Sequence, residues 1–283
     1  AMPILVKTAR LWASLGQFDR HGVFHLDGVT GPDEYSALAD DNVYTNLMVR
    51  RNLRGAVAVC EKYPALAEAF ADAAEELETW RRAAEHVAVP YDEELGVHQQ
   101  TRDFTNHAVW PFDRTPPEHY PLLLNYTYFD LYRKQVVKQA DLVLAMHFCS
   151  DAFTDEQRAR NFDYYEKITV RDSSLSATTQ AVIAAELGHL DLAFSYLRET
   201  AYIDLHDLEH NTRDGLHLAA LAGIWNVLVA GFGGMRDCAG VLSFRPRLPR
   251  QLTHVHFRLR WRQSNVEVHI WDHVATYTLL DGD

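Results

Sequence analysis

The sequence predicts a mainly α-helical protein that ends in a small antiparallel β-sheet domain. Apolar residues recur at three- and four-residue spacing through most of the first 235 residues, which is the period of amphipathic helices. Beyond about residue 242 apolar and polar residues alternate, which is the period of strands with one buried face. We therefore predict a helical domain over residues 1–238 and a sheet domain over residues 239–283, divided just after the run Gly231-Phe232-Gly233-Gly234.

Two apolar stripes mark helices in the first half of the chain. The first stripe consists of Leu66, Phe70, Ala74, Leu77, Trp80, Ala84 and Val87. The second stripe consists of Val136, Val137, Ala140, Val143, Leu144 and Phe148. Each stripe lies on one side of a helical wheel, so each predicts a helix packed against a core on that side.

Capping residues place the helices that follow. Thr154 and Gln157 have the spacing of a capping box, which predicts a helix that starts there and runs through Tyr165. Helical segments over residues 178–187 and 191–201 meet near Gly188, a residue suited to a helix end, so they should form an antiparallel hairpin. Repeated hairpins of this kind imply an all-helical toroid or bundle.

The remaining segments are a long excursion and the terminal strands. Residues 89–125 contain five prolines and are long for a passive connection, so this segment could line a pocket. Apolar residues alternate with polar ones over residues 254–262 and again over residues 266–270, which predicts two strands of a small antiparallel sheet. Residues 275–280 complete that sheet.

The charge and the cysteines limit the compartment and the partners. The formal charge of -12 would repel phosphate backbones and anionic lipid, so we expect neither a nucleic acid nor a membrane as partner. Cys60, Cys149 and Cys238 are widely spaced and lie outside any Cys-x-x-Cys pattern, which predicts thiols in a reducing compartment, the cytoplasm.

Four separated motifs carry the functional signal. They are Asp27-Gly28-Val29-Thr30-Gly31-Pro32-Asp33-Glu34-Tyr35 with the following Asp41-Asn42-Val43-Tyr44-Thr45-Asn46, then Lys138-Gln139-Ala140-Asp141, then Asp172-Ser173-Ser174-Leu175-Ser176, and finally Asn211-Thr212-Arg213-Asp214-Gly215-Leu216-His217. In this order they resemble the disaccharide phosphorylases of glycoside hydrolase family 65, which cleave maltose, trehalose and kojibiose.

The resemblance implies an architecture for the whole chain. Members of the family have a large N-terminal β-sandwich, an (α/α)6 barrel of six helical hairpins and a small C-terminal β-layer. By this resemblance residues 1–238 are part of an (α/α)6 barrel whose N-terminal part is missing, and residues 239–283 are the C-terminal β-sheet domain. We therefore expect a fragment or a truncated gene product.

Glu34 matches the general acid of the family. Cleavage of a glycosidic bond needs an acid to protonate the leaving oxygen, and a partly desolvated carboxyl can keep its proton near neutral pH. Gly31-Pro32-Asp33-Glu34 alone would be an ordinary solvated turn. Two adjacent side chains seldom point at the same atom, so we expect Asp33 to support the loop by hydrogen bonding.

Lys138 and Gln139 resemble the pair that binds sugar hydroxyls in the family. An ammonium and an amide supply the hydrogen bonds that a polyol needs, although an isolated Lys-Gln pair would be a solvated helix face. Trp110, in the proline-rich excursion, could stack on a sugar ring or be a buried structural side chain.

Phosphate binding is implied for four residues. Ser173, Ser174 and His217 match phosphate-contacting positions of the family, and Arg171 replaces a His found in many members. The alternatives are helix capping by the two serines, a core position for the histidine, and an ion pair of Arg171 with Asp172 or Glu166. No metal and no cofactor is expected beyond inorganic phosphate as co-substrate.

His206, Glu209 and His210 are residue types that can bind a metal, and the two histidines have the i, i+4 spacing that can share a helix face. The glutamate precedes the second histidine instead of following the first, and the neighbouring residues are those of a polar connector, so we do not predict a metal there.

The resulting hypothesis is inverting phosphorolysis of an α-linked glucose disaccharide, with Glu34 as general acid and phosphate as nucleophile. An inverting hydrolase is the first alternative, with Glu166 or Asp172 activating water. The second is an incomplete fragment that acts as a carbohydrate-binding or assembly module. We also expect the isolated chain to form a homo-oligomer, because barrel surfaces normally covered would be exposed.

Overall fold

The chain divides into two compact units, Ala1–Ala145 and Met146–Asp283. The computed structural model describes residues 2–67, 74–170, 172–208, 210–238, 240–272 and 274–282. The helices are α1 (Met2–Leu15), α2 (Val43–Lys62), α3 (Pro64–Ala67), α4 (Ala74–His86), α5 (Tyr128–Leu131), α6 (Asp141–Phe148), α7 (Asp155–Ile168), α8 (Ser176–Leu187), α9 (Leu190–Tyr202), α10 (Leu218–Asn226) and a π-helix (Val227–Phe232). The strands are β1 (Gln17–Phe18), β2 (Phe24–His25), β3 (Tyr91–Asp92), β4 (Val97–His98), β5 (Ala108–Val109), β6 (Lys134–Gln135), β7 (Arg236–Cys238), β8 (Val241–Ser243), β9 (His254–Trp261), β10 (Ser264–Trp271) and β11 (Ala275–Asp281).

The core of the first unit lies between α1, α2 and α4. Val6, Leu53 and Trp80 are among its buried side chains, one from each helix. Leu77, Trp80 and Ala84 of the first predicted stripe lie on α4 and pack in this core, as predicted, whereas Phe70 lies outside the described residues.

The helix start predicted from the second stripe was wrong. Val136 and Val137 are buried, but α6 starts only at Asp141. The backbone N–H groups of Lys138 and Gln139 donate to the carboxylate of Asp33, at 2.9 and 3.2 Å. This segment therefore satisfies its donors through a distant side chain, which periodicity cannot reveal.

The helices of the second unit follow the capping signals. Thr154 and Gln157 form a reciprocal capping box at the start of α7. Gly188 ends α8 in the left-handed conformation, with φ +90°, and α9 begins two residues later and packs against α8. The predicted hairpin is thus confirmed.

A three-stranded antiparallel sheet ends the chain, in the order β11-β10-β9. Val255, Phe257, Val268 and Ile270 are buried on one face, next to Val229 of the π-helix. The alternation predicted from the sequence is confirmed by this burial, since successive side chains of a strand point to opposite faces.

The residues between α4 and α5 form two-residue strands and single-turn 3₁₀ helices. Trp110 in this excursion is buried, donates from Nε1 to Thr115 Oγ1 at 2.8 Å and meets the Tyr126 ring edge-on at 4.9 Å. Trp110 is therefore a structural side chain and is not exposed for stacking on a sugar.

Two further expectations concern the whole chain. The three cysteines all lie among the described residues and are thiols, as predicted. Among the described helices, none combines the length and the apolar character needed to cross a bilayer.

Candidate active site

The loop that carries Glu34 is closed at its base and anchored in the first unit. Val29 and Ala39 pair through both of their backbone groups, with N···O distances of 2.9 and 2.8 Å. Within the loop, the backbone N–H of Ala37 donates to the hydroxyl of Tyr132 at 3.0 Å. The loop is therefore a fixed platform for the side chain at its tip.

Asp33 is fully buried and holds the loop against the start of α6. Its Oδ1 accepts from the backbone N–H groups of Tyr35, Lys138 and Gln139, and its Oδ2 accepts from Gln100 Nε2 at 2.8 Å. The supporting role expected for Asp33 is confirmed by these four bonds. Asp33 joins the acid loop and the Lys138-Gln139 motif into one hydrogen-bonded unit.

A second buried carboxyl lies next to Asp33. Asp141 accepts from Asn42 Nδ2 at 2.7 Å, and its backbone N–H donates to Oε1 of Gln100 at 3.0 Å, so Gln100 bridges both acids. Burial raises the pKa of Asp33 to about 6 against the opposing hydrogen bonds. Burial and the Asp33 charge raise the pKa of Asp141 well above its ordinary value.

Gly31 is the position where the loop approaches these acids most closely. A Cβ at Gly31 would lie 2.1 Å from Asp141 Oδ2 and 2.4 Å from Asn42 Nδ2. A side chain at this position cannot be accommodated without moving a buried hydrogen-bonded pair. This close approach explains a glycine at the start of the Gly-Pro-Asp-Glu turn.

Glu34 and Lys138 are brought into contact by this arrangement. The Lys138 ammonium forms an ion pair with Glu34 Oε2. The Glu34 side chain is 56% exposed, whereas the Lys138 side chain is 19% exposed. Glu34 thus stands at an accessible surface of the first unit on a rigid support, with a cation beside it.

A cavity of about 320 Å³ lies beside the same loop. Ser36, Leu38 and Ala39 of the loop line it, opposite Arg102 and Lys134. Its walls offer hydroxyl, carboxylate and cationic groups, which is the kind of lining that binds a polyol or an anion.

Arg102 is held at this cavity by an acidic cluster. It donates to Asp41 from Nε at 2.9 Å and to Asp27 from Nη2 at 2.8 Å. Burial raises the pKa of Asp41, but hydrogen bonds from His25 and Arg102 outweigh burial and lower it below its ordinary value. The ionised Asp41 therefore fixes the position of Arg102.

The serines and the histidine predicted to bind phosphate lie in the second unit. Ser173 Oγ accepts from the backbone N–H of Leu175 at 3.2 Å, so it stabilises the turn before α8, whose N-cap residue is Leu175. Ser174 is half-buried in the same turn. Arg171 lies outside the described residues.

His217 is oriented by a carboxylate that the sequence analysis did not single out. Its Nδ1 lies 2.6 Å from Asp204 Oδ1, and its backbone N–H donates to Asp204 Oδ2 at 3.0 Å. With Nδ1 bound to the carboxylate, Nε2 is the ring nitrogen left to face a ligand.

Glu166, proposed as a water-activating base in the hydrolase alternative, is held by hydrogen bonds within the second unit. Its two oxygens accept from Gln180 Nε2 at 2.8 Å and from the hydroxyl of Tyr196. A carboxylate engaged in this way is a structural acceptor, which argues against Glu166 as the base that activates water.

A second cavity, of about 280 Å³, lies within the second unit and is lined by Arg158, Glu186, Arg236 and Arg245. Glu186 bonds Arg236 at 2.8 Å and lies 3.7 Å from Arg158. Arg236 also donates to the carbonyl of Ala230 in the π-helix at 2.7 Å. This network ties strand β7 to α7 and α8.

Sequence reasoning did not identify the supporting role of three buried residues beneath Glu34. Asn42 and Asp141 stood inside quoted motifs, and the structure makes them supports of the loop: Asn42 also caps α2 through Thr45 N–H at 3.0 Å. Gln100 has no motif around it, so no sequence signal could have identified it. Among the described residues, a set of metal-donor atoms converges elsewhere, at His256, Glu267 and His269 on the C-terminal sheet.

Two family models match the chain. The glycosyl hydrolase family 65 central catalytic domain matches residues 1–226, and the glycosyl hydrolase family 65 C-terminal domain matches residues 235–283. The boundary predicted between residues 238 and 239 stays a prediction.

Individual relatives match over almost the whole chain. An uncharacterized glycosyl hydrolase of Mycobacterium leprae (strain TN) is 56% identical over 281 residues, which are 99% of this chain and 35% of the relative. The alpha,alpha-trehalose phosphorylase of Geobacillus stearothermophilus is 42% identical over 289 residues, and the maltose phosphorylase of Bacillus subtilis (strain 168) is 33% identical over 282. The matches cover 99% of this chain and 38% and 37% of those two relatives. The chain thus spans little more than a third of their length.

The fold has a solved counterpart. A structure from the human microbiome, assigned as a kojibiose phosphorylase, matches with a TM-score of 0.88 at 24% identity, over 100% of this chain and 42% of that one. The predicted fold class, part of an (α/α)6 barrel followed by a small antiparallel β-domain, is confirmed by this match.

Proposed function

Because the chain belongs to glycosyl hydrolase family 65, we propose that it carries out inverting phosphorolysis of an α-linked glucose disaccharide. The family includes phosphorylases among the relatives at 30–42% identity. The products would be β-glucose 1-phosphate and a free sugar. Glu34 would be the general acid and inorganic phosphate the nucleophile.

The observation that carries this proposal is the rigid placement of Glu34 beside Lys138. Asp33, buried directly next to Glu34, is bonded to the backbone of Lys138 and Gln139. General acid catalysis requires an acid within hydrogen-bond reach of the leaving oxygen, and the four bonds of Asp33 hold the backbone that carries Glu34.

In the proposed reaction Lys138 acts both before and after the proton transfer from Glu34. In the resting chain its ammonium pairs with the Glu34 carboxylate. When a sugar binds, its hydroxyls would take over the lysine and amide donors. Glu34, released from the ion pair, would take up a proton from solvent and donate it to the glycosidic oxygen. The bond from that oxygen to the anomeric carbon breaks as a phosphate oxygen attacks the opposite face. Lys138 would then stabilise the Glu34 carboxylate that remains.

Phosphate would be bound by Ser173, Ser174, Arg171 and His217. Hydroxyl, guanidinium and imidazole N–H groups are suitable donors to an anion. The Asp204 contact to Nδ1 leaves His217 Nε2 for that role. Binding by these residues is proposed from the motif match and from the chemistry of the side chains.

The test is phosphate-dependent release of glucose 1-phosphate by the 283-residue chain from a panel of α-linked glucose disaccharides. Glu34→Gln should abolish the release, whereas Glu93→Gln, an exposed glutamate in the same unit, should leave it unchanged. Stability should change little in Glu34→Gln, because exposed ion pairs contribute only about 0–1 kcal/mol. Loss of product with an unchanged unfolding midpoint would therefore assign chemistry, not folding, to Glu34.

The alternatives predict different products in the same assay. Glucose released without phosphate, and lost in Glu34→Gln, would support the hydrolase. If no reaction gives product but calorimetry still detects sugar binding, the result would support a carbohydrate-binding or assembly module.

A further inference from the structure

One face of the C-terminal sheet carries three histidines and a glutamate. We call His254 and His256 of β9 with Glu267 and His269 of β10 the histidine face. In the antiparallel register His256 stands opposite His269, and His254 opposite Trp271. The other face of the same strands is the buried apolar core, so the pleat of the strands puts all four polar side chains on the outer face.

The donor atoms of three of these residues converge. Nε2 of His256 lies 3.2 Å from Glu267 Oε1, and Nε2 of His269 lies 3.6 Å from Glu267 Oε2. One ligand atom from each of the three residues lies within 4.8 Å of the others. Ligands at the usual zinc distances are about 3.4 Å apart in a tetrahedron, so small side-chain rotations would bring all three onto one ion.

His254 orients its neighbour across the strands. Its Nε2 lies 3.1 Å from His269 Nδ1, and the two rings stack at 5.3 Å. When His269 donates its Nδ1–H to His254, the lone pair of His269 is on Nε2, the nitrogen that faces Glu267. Metal-binding histidines are commonly fixed by such a bond from their other nitrogen.

We propose that His256, Glu267 and His269 bind a divalent transition-metal ion, with Zn²⁺ as the best fit and His254 as a positioning residue. A donor set of two imidazoles and one carboxylate binds zinc in preference to magnesium or calcium, which take oxygen ligands. The side chains of His256 and His269 are 40% and 28% exposed, so water can reach the ion and complete its coordination.

Arg258 competes for the same carboxylate. Its Nε donates to Glu267 Oε1 at 2.7 Å, and its side chain is 66% exposed. A cation must displace Arg258 into solvent to bind, and removal of Arg258 should therefore strengthen metal binding.

The test is Zn²⁺ affinity of the full chain, measured by competition with a chromogenic chelator, together with the visible absorption of the Co²⁺ form. His256→Gln and His269→Gln should weaken binding more than ~100-fold, because loss of an outer partner alone costs ~10–100-fold, the loss expected for His254→Gln. Arg258→Gln should bind more tightly than the wild type. His86→Gln, which removes an exposed histidine from α4, should match the wild type.

Two outcomes would overturn the proposal. The first is a wild-type chain that does not compete with the chelator for Zn²⁺. The second is equal affinity in the wild type and in both His256→Gln and His269→Gln. If a histidine variant fails to fold by circular dichroism, the Arg258→Gln variant decides: unchanged or weaker Zn²⁺ binding there contradicts the site.

Discussion

Gly31→Ala offers a sharp test of the packing that holds the acid loop. The added Cβ would lie 2.1 Å from Asp141 Oδ2, 2.4 Å from Asn42 Nδ2 and 2.8 Å from Asn42 Cγ. Both neighbours are short side chains, fully buried and bonded to each other at 2.7 Å. They cannot rotate into solvent, so the loop or the bonded pair must move.

The cost follows from two contributions. Overpacking of a well-packed core costs about 1–3 kcal/mol. Separation of Asn42 from Asp141 leaves a buried donor without its acceptor, at about 1–3 kcal/mol. We therefore expect Gly31→Ala to lower the free energy of unfolding by about 2–6 kcal/mol, the sum of the two contributions. Phosphate-dependent turnover should fall as well, because Glu34 lies three residues further along the displaced loop.

Gly55→Ala is the matched control. Gly55 lies within α2, and a Cβ there meets nothing within 4 Å. The same substitution should stabilise the chain at this site by about 0.5–1 kcal/mol, because alanine loses less backbone entropy in a helix.

The assay is guanidinium unfolding with amide hydrogen exchange of peptides covering residues 26–47. Hydrogen exchange is included because the two compact units can unfold separately, and it reports on the first unit alone. A Gly31→Ala chain with wild-type protection in these peptides and an unchanged unfolding free energy would refute the argument.

The remaining predictions concern pH, an ion-pair network and association. The raised pKa values of Asp33 and Asp141 mean that the folded chain binds more protons than the unfolded chain above about pH 4, so the free energy of unfolding should fall as pH rises through about 6. Asp141→Asn should flatten this fall in denaturant midpoints measured across that range, and an unchanged slope would contradict the assignment. Glu186→Gln should lower the free energy of unfolding by about 2 kcal/mol, less than the ~3–5 kcal/mol for a fully buried pair, because Arg158 and Arg236 lose their shared carboxylate; a midpoint within error of the wild type would count against it. Exposed apolar side chains on and before α10 should drive self-association of the chain; they are Leu216, Leu218, Leu221 and Trp225. Light scattering should detect this association as a mass that rises with concentration, and a monomer at every concentration would contradict it.

Local signals in the sequence predicted the secondary structure where local interactions decide it. The capping box of Thr154 and Gln157 and the left-handed Gly188 act within a few residues, so the chain carries them in its sequence. The alternation over β9 and β10 likewise predicted which side chains are buried. The start of α6 was misplaced because its preceding N–H groups bond to Asp33, more than 100 residues away in sequence.

The candidate site shows the same division. The order of the motifs matched Glu34, Lys138 and Gln139 to functional positions of one family. The position of Asp33 next to Glu34 indicated that Asp33 supports the loop. Sequence could not pair Asp204 with His217, since a separation of 13 positions along the chain fixes no distance in space. Sequence also could not predict that Trp110 is buried or that Tyr196 donates to Glu166. Both depend on which side chains pack together in space.

By itself the sequence determined the helical and strand periods, the family and the identity of the groups available for acid chemistry. The tertiary structure alone decided that Asp33, Gln100, Asn42 and Asp141 form one buried cluster beneath Glu34. It also decided that three histidines and a glutamate share one outer face of the C-terminal sheet. The physical reason is that hydrogen bonds and charges act over a few ångströms in space, and separation along the chain does not determine separation in space.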